Sequence, residues 1–165
     1  MKVVPCTPSD VVNAFRAAAV AALGLDAARV FVSAAPNMLQ SIPPASEATA
    51  AVVPAQWNME SSPQHSAAFP AELTLDLVIY SRTAHDRALS TERLLLDPQR
   101  GLLILGAKAV RGLAGIYMAD DTSQTQLLRR PLQLVNAGTL GWLEGAGIVI
   151  AFLKQTYRAA FEFDV

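Results

Sequence analysis

The sequence predicts an α+β domain, a mainly antiparallel sheet with helices packed on one face, and three observations carry that expectation. In "AELTLDLVIYS", Ala71 to Ser81, Leu73, Leu75, Leu77 and Ile79 alternate with Glu72, Thr74, Asp76 and Tyr80, the period of a half-buried strand. In "KQTYRAAFEFDV", Lys154 to Val165, Gln155, Tyr157, Ala159, Phe161, Phe163 and Val165 take one face. Lys154, Thr156, Arg158, Ala160, Glu162 and Asp164 take the other. Third, the elements run as helix, strand, long excursion, strand, helices and then strands, a segregated order rather than a βαβ alternation.

The first helix is expected over Pro8 to Leu23. "TPSD" supplies a hydroxyl cap, a proline at the first helical position and an acid three residues after the cap. Val11, Val12, Phe15, Ala18, Ala19, Ala22 and Leu23 recur at helical spacing, and Gly24 supplies the stop. "RVFVS", Arg29 to Ser33, reads as a short strand. The stretch from about 34 to 70 holds six of the ten prolines, which excludes a continuous helix and predicts a proline-rich loop or arm. Within it, "ATAAVVPAQW" reads as an edge strand, because Pro54 does not suit a central one.

After the strand at Ala71 to Ser81, "TAHDRALSTERLLL" places Ala88, Leu89, Leu95 and Leu96 against Arg87, Glu92 and Arg93 and predicts a helix ending at Asp97-Pro98. A further helix is expected over "DPQRGLLILGAKAVRGL", capped by Asp97 with Pro98 at its first position and weakened by Gly101 and Gly106. The last third, with "GIYM", "TQLLRRPLQLV" and a run punctuated by Gly138, Gly141, Gly145 and Gly147, predicts an antiparallel meander.

Bulk properties narrow the function. A chain of 165 residues is expected to form one domain with a core of its own. Charged residues make up 16%, below the usual share of about 25%, so the surface is unusually neutral and suits an assembly. With net charge −1 and no basic run longer than Arg129-Arg130, tight nucleic-acid binding is not expected. A single cysteine excludes an intrachain disulfide and a cysteine-rich zinc site. The opening "MKVVPCTPSD" turns polar before a signal-peptide core develops, which predicts synthesis in the reducing cytosol. "GWLEGAGIVIAFL" is too short to span a bilayer and contains Glu144, so no membrane partner is expected.

No constellation for catalysis stands out, and neither an enzyme activity nor a cofactor or metal is expected. His65 lies in the proline-rich stretch, and His85-Asp86 reads as a helix start. "GAGIVI" lacks the third glycine of a dinucleotide fingerprint and opens a strand. Cys6 reads as a structural thiol, and Asp120-Asp121 as solvated turn residues. Trp57, between the proline-broken strand and a polar loop, is either a lid over the core or, with Met59, an anchor for a neighbour. Trp142 is expected to pack in the core near a hairpin. Arg129 and Arg130 read as a solvated strand face, or failing that as a second contact surface.

This layout resembles the tail terminator (tail completion) proteins of long-tailed bacteriophages and phage-like particles. The matching parts are the amphipathic helix at Pro8 to Leu23, "RVFVS", the proline-rich excursion, "LTLDLVIYSR" with "HDRALSTERLL" after it, and the closing strand "YRAAFEFDV". The resemblance implies a structural virion protein at the head-proximal end of the tail, assembled in the bacterial cytoplasm. It implies a homo-oligomeric ring, usually a hexamer, that caps the tail tube, meets the head-tail connector protein and leaves a channel through which DNA passes as cargo. Trp57, Met59, Arg129 and Arg130 are then the candidate contact residues. Two alternatives remain: another head-tail joining or tail tube protein, and a small-molecule enzyme or binding domain. The last requires a deep polar pocket, which the sparse His, Cys and acidic residues argue against.

Overall fold

Among the described residues, five strands form one sheet, and the helices Pro8–Leu23 and Leu102–Leu113 lie across one of its faces. The computed structural model describes residues 3–34, 48–59, 68–82, 95–99, 101–119, 125–145 and 148–164. In chain order the elements are α1 (Pro8–Leu23), β1 (Val30–Val32), β2 (Thr49–Met59), β3 (Ala68–Arg82), α2 (Leu102–Leu113), β4 (Gln133–Gly145) and β5 (Ile148–Asp164), with a 3-10 turn at Ala27–Arg29. The sheet order is β1-β2-β3-β5-β4. β1 runs parallel to β2, and every other pairing is antiparallel.

α1 begins and ends where its residues dictate. Thr7 Oγ1 accepts from the Asp10 amide at 3.2 Å, and the Asp10 carboxylate accepts from the Thr7 amide at 2.8 Å, which closes a capping box. Gly24, at φ 65°, takes the left-handed turn that ends the helix. The apolar stripe then buries Val11, Val12, Phe15, Ala19 and Leu23 against the sheet.

β3 and β5 are the centre of the sheet, paired in unbroken register from Ala68 with Asp164 to Arg82 with Ile150. Leu73, Leu75, Leu77 and Ile79 of β3 and Tyr157, Ala159 and Phe161 of β5 lie on the face covered by α1 and α2 and form one core with them. Phe15 of α1 meets Tyr157 with ring centroids 5.4 Å apart. The buried polar residue here is Gln155, whose Nε2 donates to the carbonyls of Gly106 at 2.9 Å and Ala137 at 2.8 Å and whose Oε1 accepts from the Tyr157 hydroxyl at 2.9 Å. Gln155 thereby ties α2 and β4 to β5. A side chain at Gly106 would collide with Leu153, so α2 lies this close to β5 only because that position has no Cβ.

Several expectations are corrected. Asp97 does not cap α2: its carboxylate accepts from the Gln99 amide at 2.9 Å in a turn, and α2 starts four residues later with Gly101 as its cap. Of the helix expected to end at Asp97-Pro98, only its last residues are described. Leu95 packs against the core, whereas Leu96 is exposed. β2 is not an edge strand at its start, since β1 pairs with Ala50 to Val52. β1 stops before Pro54, so the residue without an N–H falls where no described strand lies outside it, and the register shifts between Pro54 and Gln56. "GIYM" is not a strand; Met118 takes φ 43° in an irregular crossing. Gly138 and Gly141 do not separate strands but lie inside β4, whereas Gly145 is its last residue and Gly147 lies outside the described residues. The meander is also reordered, because β5 inserts between β3 and β4. No helix among the described residues is long and apolar enough to cross a membrane.

Candidate assembly surface

Trp57 and Met59 stand on the distal half of β2, opposite Leu73 and Ala71 of β3, and so on the same side of the sheet as the helices. They lie beyond the cover the helices provide. Trp57 is 47% exposed and Met59 54%. The indole meets Phe163 edge-on, centroids 5.3 Å apart, and Phe163 packs against the core. Trp57 therefore packs on Phe163 on one side and is exposed on the other.

Arg129 and Arg130 are not on a regular strand. They occupy a bend after the isolated bridge between Leu128 and Phe161. The Arg129 amide donates to the Ala160 carbonyl at 2.8 Å, and its guanidinium lies 3.7 Å from Glu162. Arg130 is exposed. The fold thus brings Trp57 and Arg129, distant in sequence, to adjacent residues of β5, Phe163 on the helix side and Glu162 on the open side.

The open face carries a ladder of ion pairs along β3 and β5. Lys154 Nζ lies 2.7 Å from the Asp76 carboxylate, which also accepts from Thr156 Oγ1 at 2.7 Å; Arg158 pairs with Glu72 at 3.9 Å and Arg129 with Glu162. Each of these six charges meets its opposite within the chain, so the ladder itself has little unbalanced charge to offer a polyanion. Towards the other end of the sheet the same face is apolar, with Ala51, Val53, Val78, Tyr80 and Ile150 clustered and Phe31, Leu143 and Phe152 around them.

Trp142 corrects the expectation of core packing. It pairs with Ala151 on the outer strand β4 and is 41% exposed, near Leu140 at 42%. Leu140 also lines a shallow groove of about 480 Å3 between α2 and β4, with Leu103, Val110 and Leu153. Neither Leu140 nor Trp142 was selected as a contact residue from the sequence. The available signal was charge: from Gln133 to Leu143 there is no Asp, Glu, Lys or Arg.

A larger groove, about 990 Å3, runs between α1 and the residues Ile116, Met118, Ala119, Thr125 and Leu127. Five of its fourteen lining residues are alanine, and its carboxylate, Asp10, is held in the α1 cap. Its thiol, Cys6, is buried with Sγ 3.9 Å from the Leu127 carbonyl. Burial first, and then the negative charges of Asp10 and Glu162, push its pKa up to about 11, opposite to what activates a nucleophile. Among the described residues no group of His, Cys, Asp and Glu is placed to hold a metal ion. His65, His85, Asp86, Asp120 and Asp121 lie outside the described residues. The chain matches no protein-family model and no curated protein.

Proposed function

We propose that this chain is a structural subunit of the kind that forms a ring in a phage or phage-like tail, resembling the tail terminators. In this reading the ring caps the tail tube, faces the head-side connector and lets DNA through a central channel. The observation that carries the reading is the placement of Trp57 and Met59: large, exposed apolar side chains, Trp57 anchored from behind by Phe163, on a sheet margin with no charged residue from Thr49 to Met59. Such half-buried aromatics dominate the energetics of protein contacts. The self-neutralised open face supports it further, because a passage for DNA should not hold its cargo.

The test is Trp57→Ala, followed by mass-resolved chromatography, circular dichroism and electron microscopy. The expected result is a folded protein that no longer forms rings. Assembly unchanged from wild type would sink the role of Trp57. Wild-type protein that forms long tubes instead of rings would move the assignment to a tube protein.

A further inference from the structure

The two margins of the sheet share a property that its centre lacks. β3 and β5 carry Glu72, Asp76, Lys154, Arg158 and Glu162, whereas β2 has no charged residue along its length and β4 none before Glu144. Sheet edges are normally guarded by charge, by proline or by bulges, since an open edge is a row of unpaired backbone donors and acceptors. Here the guards are partial. Pro54 and a register shift interrupt β2 up to Gln56, and two shifts interrupt β4 up to Thr139. Each margin keeps one regular, uncharged run, Gln56 to Met59 and Thr139 to Leu143. Among the described residues no strand pairs with the outer side of either run.

The side chains on these runs agree in direction. Trp57 and Met59 pair with Leu73 and Ala71, and Leu140 and Trp142 pair with Leu153 and Ala151; all four partners belong to the helix-side core. Both exposed apolar pairs therefore point to the same side of the sheet, one at each margin. We propose that the β4 edge of one copy pairs with the β2 edge of the next, Thr139 to Leu143 against Gln56 to Met59. The sheet then continues across the subunit boundary, and Trp57 and Met59 lie beside Leu140 and Trp142.

This rests on the ring reading above and names the surfaces that form the ring. A second copy is the occupant because this chain supplies both halves of the contact, uncharged runs of similar length at opposite margins. Joining β4 to β4 across a two-fold axis would leave Trp57 and Met59 bare. Joining β4 to β2 uses both margins at every boundary, and such a head-to-tail contact gives a ring where its rotation closes and an open filament where it does not. The four half-exposed side chains remove on the order of 400 Å2 of apolar surface per boundary, about a quarter of a standard interface and the scale of its anchoring centre.

The experiment places one lysine on each margin, Leu140→Lys and Met59→Lys, with Ala17→Lys on the outer side of α1 as control. All three sites are solvent-exposed. Assembly is read by mass-resolved chromatography over a dilution series, and folding by circular dichroism. Both margin variants are expected to raise the concentration for half-assembly at least about ten-fold, while the control leaves it unchanged. In the wild type, amide exchange in both runs should slow on assembly, a readout that needs no variant. If neither lysine shifts assembly, or exchange in the runs is the same in monomer and assembly, the pairing is overturned and the ring reading stands. A shift confined to one margin also overturns it, since that margin would then meet its own copy or another surface. Wild-type protein that stays monomeric at every concentration fails the ring reading itself.

Discussion

On the helix side of the sheet, β3 and β5 present Leu73, Leu75, Leu77, Ile79, Tyr157 and Phe161, and α1 and α2 seal them from water. On the opposite side the same strands present Val78, Tyr80 and Phe152 at one end, and Asp76 with Lys154 and Glu72 with Arg158 towards the other. Strand alternation sends neighbouring residues into different media. Apolar burial stabilises only where a second layer excludes water, so the covered face carries most of the folding free energy. The Arg129–Glu162 and Arg158–Glu72 pairs are half-exposed and contribute about 0–1 kcal/mol each, whereas the Lys154–Asp76 pair has its carboxylate buried. What they supply is register and a wettable face. The exposed tryptophans, Trp57 and Trp142, fall at the two margins, where the helical layer ends and the ladder is absent.

The comparison breaks first at the phenylalanines. Phe161→Ala, fully buried on the covered face, should cost about 3–5 kcal/mol in urea unfolding. Phe152→Ala, partly buried on the open face, should cost about 1–2 kcal/mol. Equal losses would show that the open face is as structural as the covered one.

The two buried tyrosines sharpen it. Tyr157 donates to Gln155, and removing that hydroxyl with Tyr157→Phe should cost about 1 kcal/mol. The Tyr80 hydroxyl is buried with no hydrogen-bond partner among the described residues, so Tyr80→Phe should be neutral or slightly stabilising in the same unfolding assay. A loss at Tyr80 equal to that at Tyr157 would mean that a partner holds it.

The last effect is a dependence on alkaline pH. Burial raises Cys6 from an ordinary 9.0 to about 11, and it raises Tyr157 and Tyr80 from 10.0 in the same direction. The unfolded thiol ionises first, so its contribution is complete below about 9 and is lost as the pH climbs through about 11. The melting temperature should therefore fall across that interval, and Cys6→Ala should flatten the fall. An identical decline in the variant would rule out the thiol as its source.

Pattern-bearing elements were legible from residues alone. α1 lies at Pro8–Leu23 because cap, stripe and stop all agree, and β3 and β5 follow from their alternation. The site was half legible. Trp57 and Met59 could be nominated because a polar, proline-broken context seldom surrounds a core aromatic. Trp142 could not, because a tryptophan between glycine and leucine reads as buried until its strand is known to be outermost. Arg129 was nominated for its charge, and its partner Glu162 is distant in sequence.

The sequence by itself determined which residues alternate, which helix is capped and how little charge the surface holds, because these are local or additive properties of the chain. The tertiary structure alone decided that β5 inserts between β3 and β4, that β1 covers β2 only as far as Val52, and hence which strands lie at the margins. Strand order depends on which apolar faces can share one helical layer, a competition among segments far apart in the chain. Exposure at Trp57, Leu140 and Trp142 is a consequence of that order rather than of their neighbours in sequence.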